Sequence, residues 1–253
     1  MMSAASALKK QQIRLDTIAN NVANVNTTGF KNSRVDFKDS FYANGITPGP
    51  ARNPEANQQK GHGLMLAGIG TDFTGGIIQV TGIPLDFALE GEGFFVLGDL
   101  NGNVFYTRNG NFTLSAEADG NYLVNAGGLY VLDTNGERIR VPVGATRIEV
   151  GTGGEMIFTS PTEVTTANLG IFTFRNITGL HSIGNSLFTE SDSTGERLVP
   201  ENTVVRQGAL EGSNVNLADE ITRMMRTQRA FQLASRALTT ADDMEGVANN
   251  MRR

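Results

Sequence analysis

The chain has 253 residues and a formal charge of −5, long enough to bury a core and the wrong sign for a protein whose main partner is a phosphate backbone. It has no Cys and only two His, which excludes disulfides, thiolate metal sites and a cysteine nucleophile and leaves little imidazole for catalysis. Its 30 Gly and 23 Asn tolerate positive φ, so the composition points to short strands joined by tight turns.

The first predicted element is a helix over residues 3–24, which contain no Gly or Pro. Its apolar residues Leu8, Leu15, Ile18, Val22 and Val25 fall at the spacing of a coiled-coil seam. Asn-rich sequence and Gly29 stop it. The segment is not a cleavable export signal, because its charges, Lys9 and Lys10, follow the small apolar residues instead of preceding them. Residues 44–70, with Pro48, Pro50 and Pro54 among Asn, Gln and Gly, read as an extended connector. No apolar run approaches the ~20 residues a spanning helix needs, so membrane insertion is not expected.

From residue 76 to 207 the apolar period changes to two. Short β-type runs at 77–81, 85–89, 94–98, 104–107, 112–114, 122–124, 129–132, 139–141, 147–150, 156–159 and 169–174 are separated by turn dipeptides. These are Asn101-Gly102, Asn109-Gly110, Asp119-Gly120, Gly127-Gly128, Asn135-Gly136 and Gly153-Gly154. A second helix starts after Asn216, a capping residue followed by Asp219 and Glu220 in the favourable first turn. Its apolar set includes Leu217, Ile221, Met224, Phe231 and Leu238. The expected class is a mainly β central domain with two long terminal α-helices pairing as a coiled-coil assembly domain. The expected boundaries are 1–30 for the N-terminal assembly helix, 31–75 for the connector, 76–207 for the β domain and 208–253 for the C-terminal assembly helix.

Little in the chain offers chemistry. Asp99-x-Asn101-x-Asn103 opens like a calcium loop, but its sixth position is Val104 and its twelfth Gly110, so the ligand set fails. Gly68-x-Gly70 and Gly91-x-Gly93 lack the third glycine and following helix of a dinucleotide site. Asp86, Glu90 and Glu92 are the one carboxylate cluster that a glycan-processing enzyme would need, without a Trp to stack a sugar. His62 and His181 read as ordinary surface or hydrogen-bonded side chains. Arg223, Arg226, Arg229 and Arg236 form a basic face, either solvated or paired with Asp16, Asp36 or Asp39. No cofactor, metal or nucleic acid is expected. The apolar seams at the two ends must be covered, by each other or by other copies, and head-to-tail contacts between copies build rings or helical filaments.

The block Ala19-Asn20-Asn21-Val22-Ala23-Asn24-Val25-Asn26-Thr27-Thr28-Gly29-Phe30-Lys31 is similar to the N-terminal signature of the bacterial flagellar axial proteins of rod and hook. The resemblance continues through Pro84-Leu85-Asp86-Phe87-Ala88-Leu89, Gly91-Glu92-Gly93-Phe94-Phe95 and Tyr106-Thr107-Arg108-Asn109-Gly110-Asn111-Phe112. It resumes at Gly179-Leu180-His181-Ser182-Ile183-Gly184-Asn185, Glu211-Gly212-Ser213-Asn214-Val215-Asn216 and Met225-Arg226-Thr227-Gln228-Arg229-Ala230-Phe231. It covers nearly the whole chain. The length resembles a rod protein more than the longer hook protein. The Thr107–Gly110 turn and the Gly91–Phe95 block look like the distal-rod member, while residues 210–214 also occur in proximal-rod relatives.

The resemblance implies a non-enzymatic subunit of the flagellar basal-body rod, stacked helically with its own copies around a channel and transmitting motor torque. It implies other rod and hook proteins as neighbours, and export by the flagellar type III apparatus. The assembly residues it points to are Leu8, Leu15, Ile18, Val22 and Val25 with Leu217, Ile221, Met224, Phe231 and Leu238. The amides of Asn20, Asn21, Asn24 and Asn26 are placed either to link subunits or to cap and turn the chain. The terminal helices are expected to be loose in an isolated copy.

Overall fold

A computed structural model describes residues 2–39, 42–44, 59–61, 64–161 and 163–251. The chain forms two compact units, one of residues 1–23, 33–71 and 216–253 and the other of residues 24–32 and 72–215.

The larger unit is built of antiparallel strands. Its principal sheet runs, in spatial order, Arg140–Val141, Gly120–Asn125, Tyr130–Val131, Phe94–Gly98, Val104–Thr107, Leu187–Thr189 and His181–Gly184. Ile171–Phe174 pairs with both Phe94–Gly98 and Arg197–Leu198, and Phe112–Glu117 pairs with Gly120–Asn125. A meander of Arg147–Val150, Glu155–Thr159 and Val164–Asn168 makes a second sheet. Two further pairs join Phe87–Glu90 to Val204–Gln207 and Ile78–Val80 to Ala209–Glu211.

Phe94–Gly98 is the organising strand. It has no polar alternation because it is buried on both faces. Successive side chains point to opposite sides, so Phe95 and Leu97 enter a core with Phe87, Phe112, Leu123 and Phe158. Phe94 and Val96 enter a second core with Tyr106, Phe174 and Phe188. Each fully buried Phe or Leu contributes roughly 1.5–3 kcal/mol. Five of the six turn dipeptides carry positive φ on their second residue, among them Gly102 at 84° and Gly136 at 86°. Asn109-Gly110 does not make such a turn. Gly110 lies where a Cβ would stand 1.8 Å from the Phe87 carbonyl oxygen, and that close approach lets the Phe87 amide reach the Gly110 carbonyl at 3.0 Å.

The smaller unit contains helix α1 (Met2–Ala23), helix α2 (Leu217–Met251) and an antiparallel ribbon of Ser33–Asp39 with Leu64–Thr71, bulged between Asp36 and Phe37. A short pair, Tyr42–Asn44 with Gln59–Gly61, continues from it. The ribbon forms inside the segment whose composition reads as a connector. His62 and the three prolines lie outside the described residues. No helix among the described residues is long and apolar enough to cross a membrane.

The expected fold class needs correcting. Two long terminal helices wound as a coiled coil are not what the chain forms. Among the described residues one helix is long, the 35-residue α2, and strands far outnumber helices. The terminal unit is also part β, because the ribbon belongs to it. The physical reason lies in α2 itself. A coiled coil needs an apolar residue at each heptad position facing its partner, yet among the described side chains of α2 the buried ones, seven residues apart, are Glu220 and Thr227. Leu217 and Ile221 of the expected seam are 43 % and 42 % exposed.

Candidate functional site

Two places in the molecule combine unusual chemistry with the quoted sequence blocks. One lies in the terminal unit. Asn216 caps α2 by accepting from the amides of Ala218 at 3.1 Å and Asp219 at 3.4 Å, as the sequence leads one to expect. One turn on, Glu220 is 1 % exposed. Its carboxylate accepts from Asn21 Nδ2 at 3.3 Å and from Arg223 Nη1 at 3.0 Å. Asn21 is equally buried, and its side chain donates to the Ser33 carbonyl at 2.9 Å while accepting from the Ser33 amide at 3.0 Å. One amide therefore ties α1, the first ribbon strand and α2 together. Basic Arg223 pairs with its own helix neighbour and makes no ion pair with Asp16 or Asp36; the side chain of Asp39 lies outside the described ones.

The remaining assembly candidates are distributed unevenly. Ile18 is buried beside Thr17. Leu8, Leu15 and Val22 of α1 and Met224, Phe231 and Leu238 of α2 are half-buried. Leu217 and Ile221 are exposed, as is Asn20. Val25 and Asn24 belong to the other unit, where Asn24 Oδ1 accepts from Thr27 Oγ1 at 3.1 Å and its carbonyl from the Thr27 amide, also at 3.1 Å.

The second place lies inside the larger unit, and sequence reasoning missed it. Glu211 is buried between two cations. Lys31 Nζ approaches its Oε1 at 2.7 Å and Arg108 Nη1 its Oε2 at 3.3 Å, with all three side chains sealed from solvent. The Gly76 amide also donates to Glu211 Oε1 at 2.8 Å, and the Gly29 amide to the Glu211 carbonyl at 2.8 Å. Lys31 donates further to the Thr74 carbonyl and Arg108 to that of Gly91, each at 2.7 Å. Asn214 accepts from the Asn32 amide at 2.7 Å and donates to the Asp72 carbonyl at 2.9 Å. Gly29 at φ 67° sits where a Cβ would stand 2.5 Å from the Asn109 amide nitrogen. The blocks around residues 26–31, 91–95, 107–110 and 211–214 are thus one interlocked structure. Burial pushes the Lys31 ammonium below the ordinary lysine range, against the pull of Glu211. Arg108 shifts the same way for the same first cause. The signal available in the sequence was three charged residues set inside glycine-bearing blocks that otherwise turn the chain.

Asp86 is held by Thr81 Oγ1 at 2.7 Å and Asn111 Nδ2 at 2.8 Å, and Glu90 pairs with Arg206 at 2.6 Å, so these two carboxylates of the cluster are engaged within the fold. Asp99 accepts from Leu100 and Asn101 at a loop tip. Among the described residues no group of His, Asp and Glu is placed to hold a metal. The two networks bind segments of the chain to one another, and the exposed apolar side chains lie elsewhere.

Residues 1–31 match the flagella basal body rod protein family, residues 88–158 the D1 domain of the flagellar hook protein FlgE/F/G, and residues 206–251 the C-terminal region of the flagellar basal body rod FlgEFG proteins. The chain is 36 % identical to the flagellar basal-body rod protein FlgG of Bacillus subtilis, over all of this chain and 98 % of that protein. It is 37 % identical to FlgG of Borreliella burgdorferi over the same shares. The flagellar hook-basal body complex protein FlhP of Bacillus subtilis is 30 % identical, again with 100 % and 98 % covered. The chain belongs to the flagellar basal-body rod protein family, of the distal-rod type, and is a structural subunit of the extracytoplasmic flagellar rod and not an enzyme.

Proposed function

We propose that the chain polymerises with its own copies into the helical tube of the distal rod, using the terminal unit as its assembly surface, and that the tube carries motor torque. Its neighbours along the axis are other rod and hook proteins, and it reaches them through the flagellar type III export apparatus. The observation that carries this reading is the apolar surface left open on the terminal unit. Met65 and Ile69 on the ribbon and Leu217, Ile221, Leu233 and Met244 on α2 are all exposed. Burying such side chains is worth about 1.5–3 kcal/mol each, and monomers seldom leave a row of them in water. Helix α2, with 35 residues against 22 in α1, has about its last third beyond what α1 is long enough to cover. The assembly contacts proposed are Leu217, Ile221, Met224, Phe231 and Leu238 on α2 with Leu8, Leu15 and Val22 on α1, while Ile18 is already buried and Val25 belongs to the other unit.

The test is sedimentation of the full chain over a wide concentration range beside the double variant Leu233→Ser/Met244→Ser. The wild type is expected to grow into large particles above a threshold concentration. The variant is expected to stay monomeric with an unchanged circular dichroism spectrum. Equal growth of the two, or a wild type that is monomeric throughout, refutes the proposal.

A further inference from the structure

The terminal unit holds a cavity of about 270 Å3 whose lining includes Arg14, Ile18, Arg34, Asp36, Glu220 and Arg223. Three guanidinium groups face two carboxylates there. Arg34 is engaged by Asp36, Nε to Oδ1 at 3.0 Å and Nη2 to Oδ2 at 3.3 Å. Arg223 is engaged by Glu220 at 3.0 Å, and the other Glu220 oxygen is taken by Asn21. Arg14 is exposed and has no acidic partner among the described residues. The cavity thus has one guanidinium and one positive charge to spare, and its chemistry fits a carboxylate.

The same unit displays a carboxylate pair with no ion-pair partner among the described residues. Asp242 and Asp243 on α2 are exposed. No basic residue stands three or four positions from either, and none occurs from 237 to 251. A helix advances about 1.5 Å per residue, so the nineteen residues from Arg223 to Asp242 separate the two sites by about 28 Å along one continuous helix. A single copy cannot bring its own Asp242 to its own cavity.

Resting on the self-assembly reading above, we propose that the Asp242–Asp243 turn of one copy docks in the Arg14 cavity of the next copy. The two surfaces are different and lie far apart on the molecule, so the contact is heterologous. Unless the rotation happens to close, such contacts run on as a helical filament. Opposite charge fixes the register and orientation of the incoming helix, while the apolar faces supply most of the affinity.

The experiment uses the full chain and sedimentation velocity over a concentration series at low salt. An exposed pair is worth up to a few-fold in affinity and reversal adds repulsion, so Arg14→Glu, and separately Asp242→Arg/Asp243→Arg, should raise the threshold for assembly by about tenfold. Arg14→Gln should raise it less. Combining Arg14→Glu with the two aspartate reversals should bring the threshold back to within about twofold of the wild type. Circular dichroism on each variant confirms that the fold is kept. If the single reversals assemble like the wild type, or the combination is no better than either alone, the docking contact is wrong while the assembly reading stands. A wild type that never assembles overturns both.

Discussion

Replacing Glu211 by Gln is the sharpest perturbation of the larger unit. The substitution keeps size and one acceptor oxygen but removes the only negative charge between Lys31 and Arg108, which are sealed from solvent with it. Two buried cations are then left facing a neutral amide. Removing one partner of a buried ion pair costs about 3–5 kcal/mol, and here two cations depend on the same partner, so the upper part of that range is expected. The comparison variant is Lys31→Met. It takes one cation from a cluster that has one too many, leaving Arg108 paired with Glu211. The Thr74 carbonyl keeps Asn214 Nδ2 at 3.1 Å as a donor. Its cost should be about 1–3 kcal/mol, a lost charged hydrogen bond partly offset by the desolvation it relieves. The assay is urea unfolding followed by the near-ultraviolet signal of Tyr106, Tyr122 and Tyr130, which all lie in this unit. The predicted order is wild type, Lys31→Met, then Glu211→Gln, with a gap of at least 1 kcal/mol between the variants by the same estimates. A Glu211→Gln protein as stable as Lys31→Met would refute the claim that the carboxylate holds two cations.

Three other outcomes follow from the same geometry. Gly110→Ala should abolish folding of the larger unit or cost more than about 3 kcal/mol, because the added carbon meets backbone at Phe87 and not a side chain that can move; a near-normal urea midpoint would contradict it. Asn21→Ala strips partners from Ser33 and Glu220 and should lower the stability of the terminal unit by about 2–3 kcal/mol, read as an earlier loss of the 222 nm helical signal. Burial, with the Glu190 carboxylate beside it, raises the Tyr106 phenol above its ordinary value of 10.0. The unfolded chain therefore releases a proton that the folded one retains, and stability must fall as pH rises above 10, by about 1.4 kcal/mol per pH unit at most. Tyr106→Phe should flatten that decline between pH 10 and 12; an unchanged slope would assign it to other groups.

Local chemistry made much of the larger unit legible. The turn dipeptides place glycine where φ is positive at Gly102, Gly128 and Gly136, and the strands Phe94–Gly98, Val104–Thr107 and Arg147–Val150 lie where the apolar runs put them. The start of α2 was equally legible, since its cap is a short-range hydrogen bond. What escaped was long-range and polar. Lys31 and Glu211 are 180 residues apart, and no local periodicity reports that two charged residues will meet in a dry interior. The strand Leu64–Thr71 was hidden because its hydrophobic pattern is broken by Gly68 and Gly70 and follows a proline-rich stretch. The pairing of α2 as a coiled coil was misread for the opposite reason. Apolar spacing identified a face, but the helix turns Glu220 inward to meet Asn21 and leaves Leu217 and Ile221 in water. Asn21 itself was picked out, though its role inside its own unit depends on Ser33 and Glu220, which no spacing rule connects to it.

Methionine footprinting tests most directly whether the open apolar face of the terminal unit is meant for sibling molecules. Met225, Met244 and Met251 of α2 are 49 %, 68 % and 79 % exposed, and Met156 in the larger unit is fully buried, serving as an internal control. Peroxide converts an accessible thioether to the sulfoxide, and mass spectrometry reads each site without any mutation. In dilute monomer the three α2 methionines should oxidise quickly and Met156 slowly. In concentrated samples whose sedimentation shows large particles, the α2 methionines should become as slow as Met156. Oxidation of Met225, Met244 and Met251 at the same rate in particles as in monomer would mean that this face stays in water, and the account would be wrong.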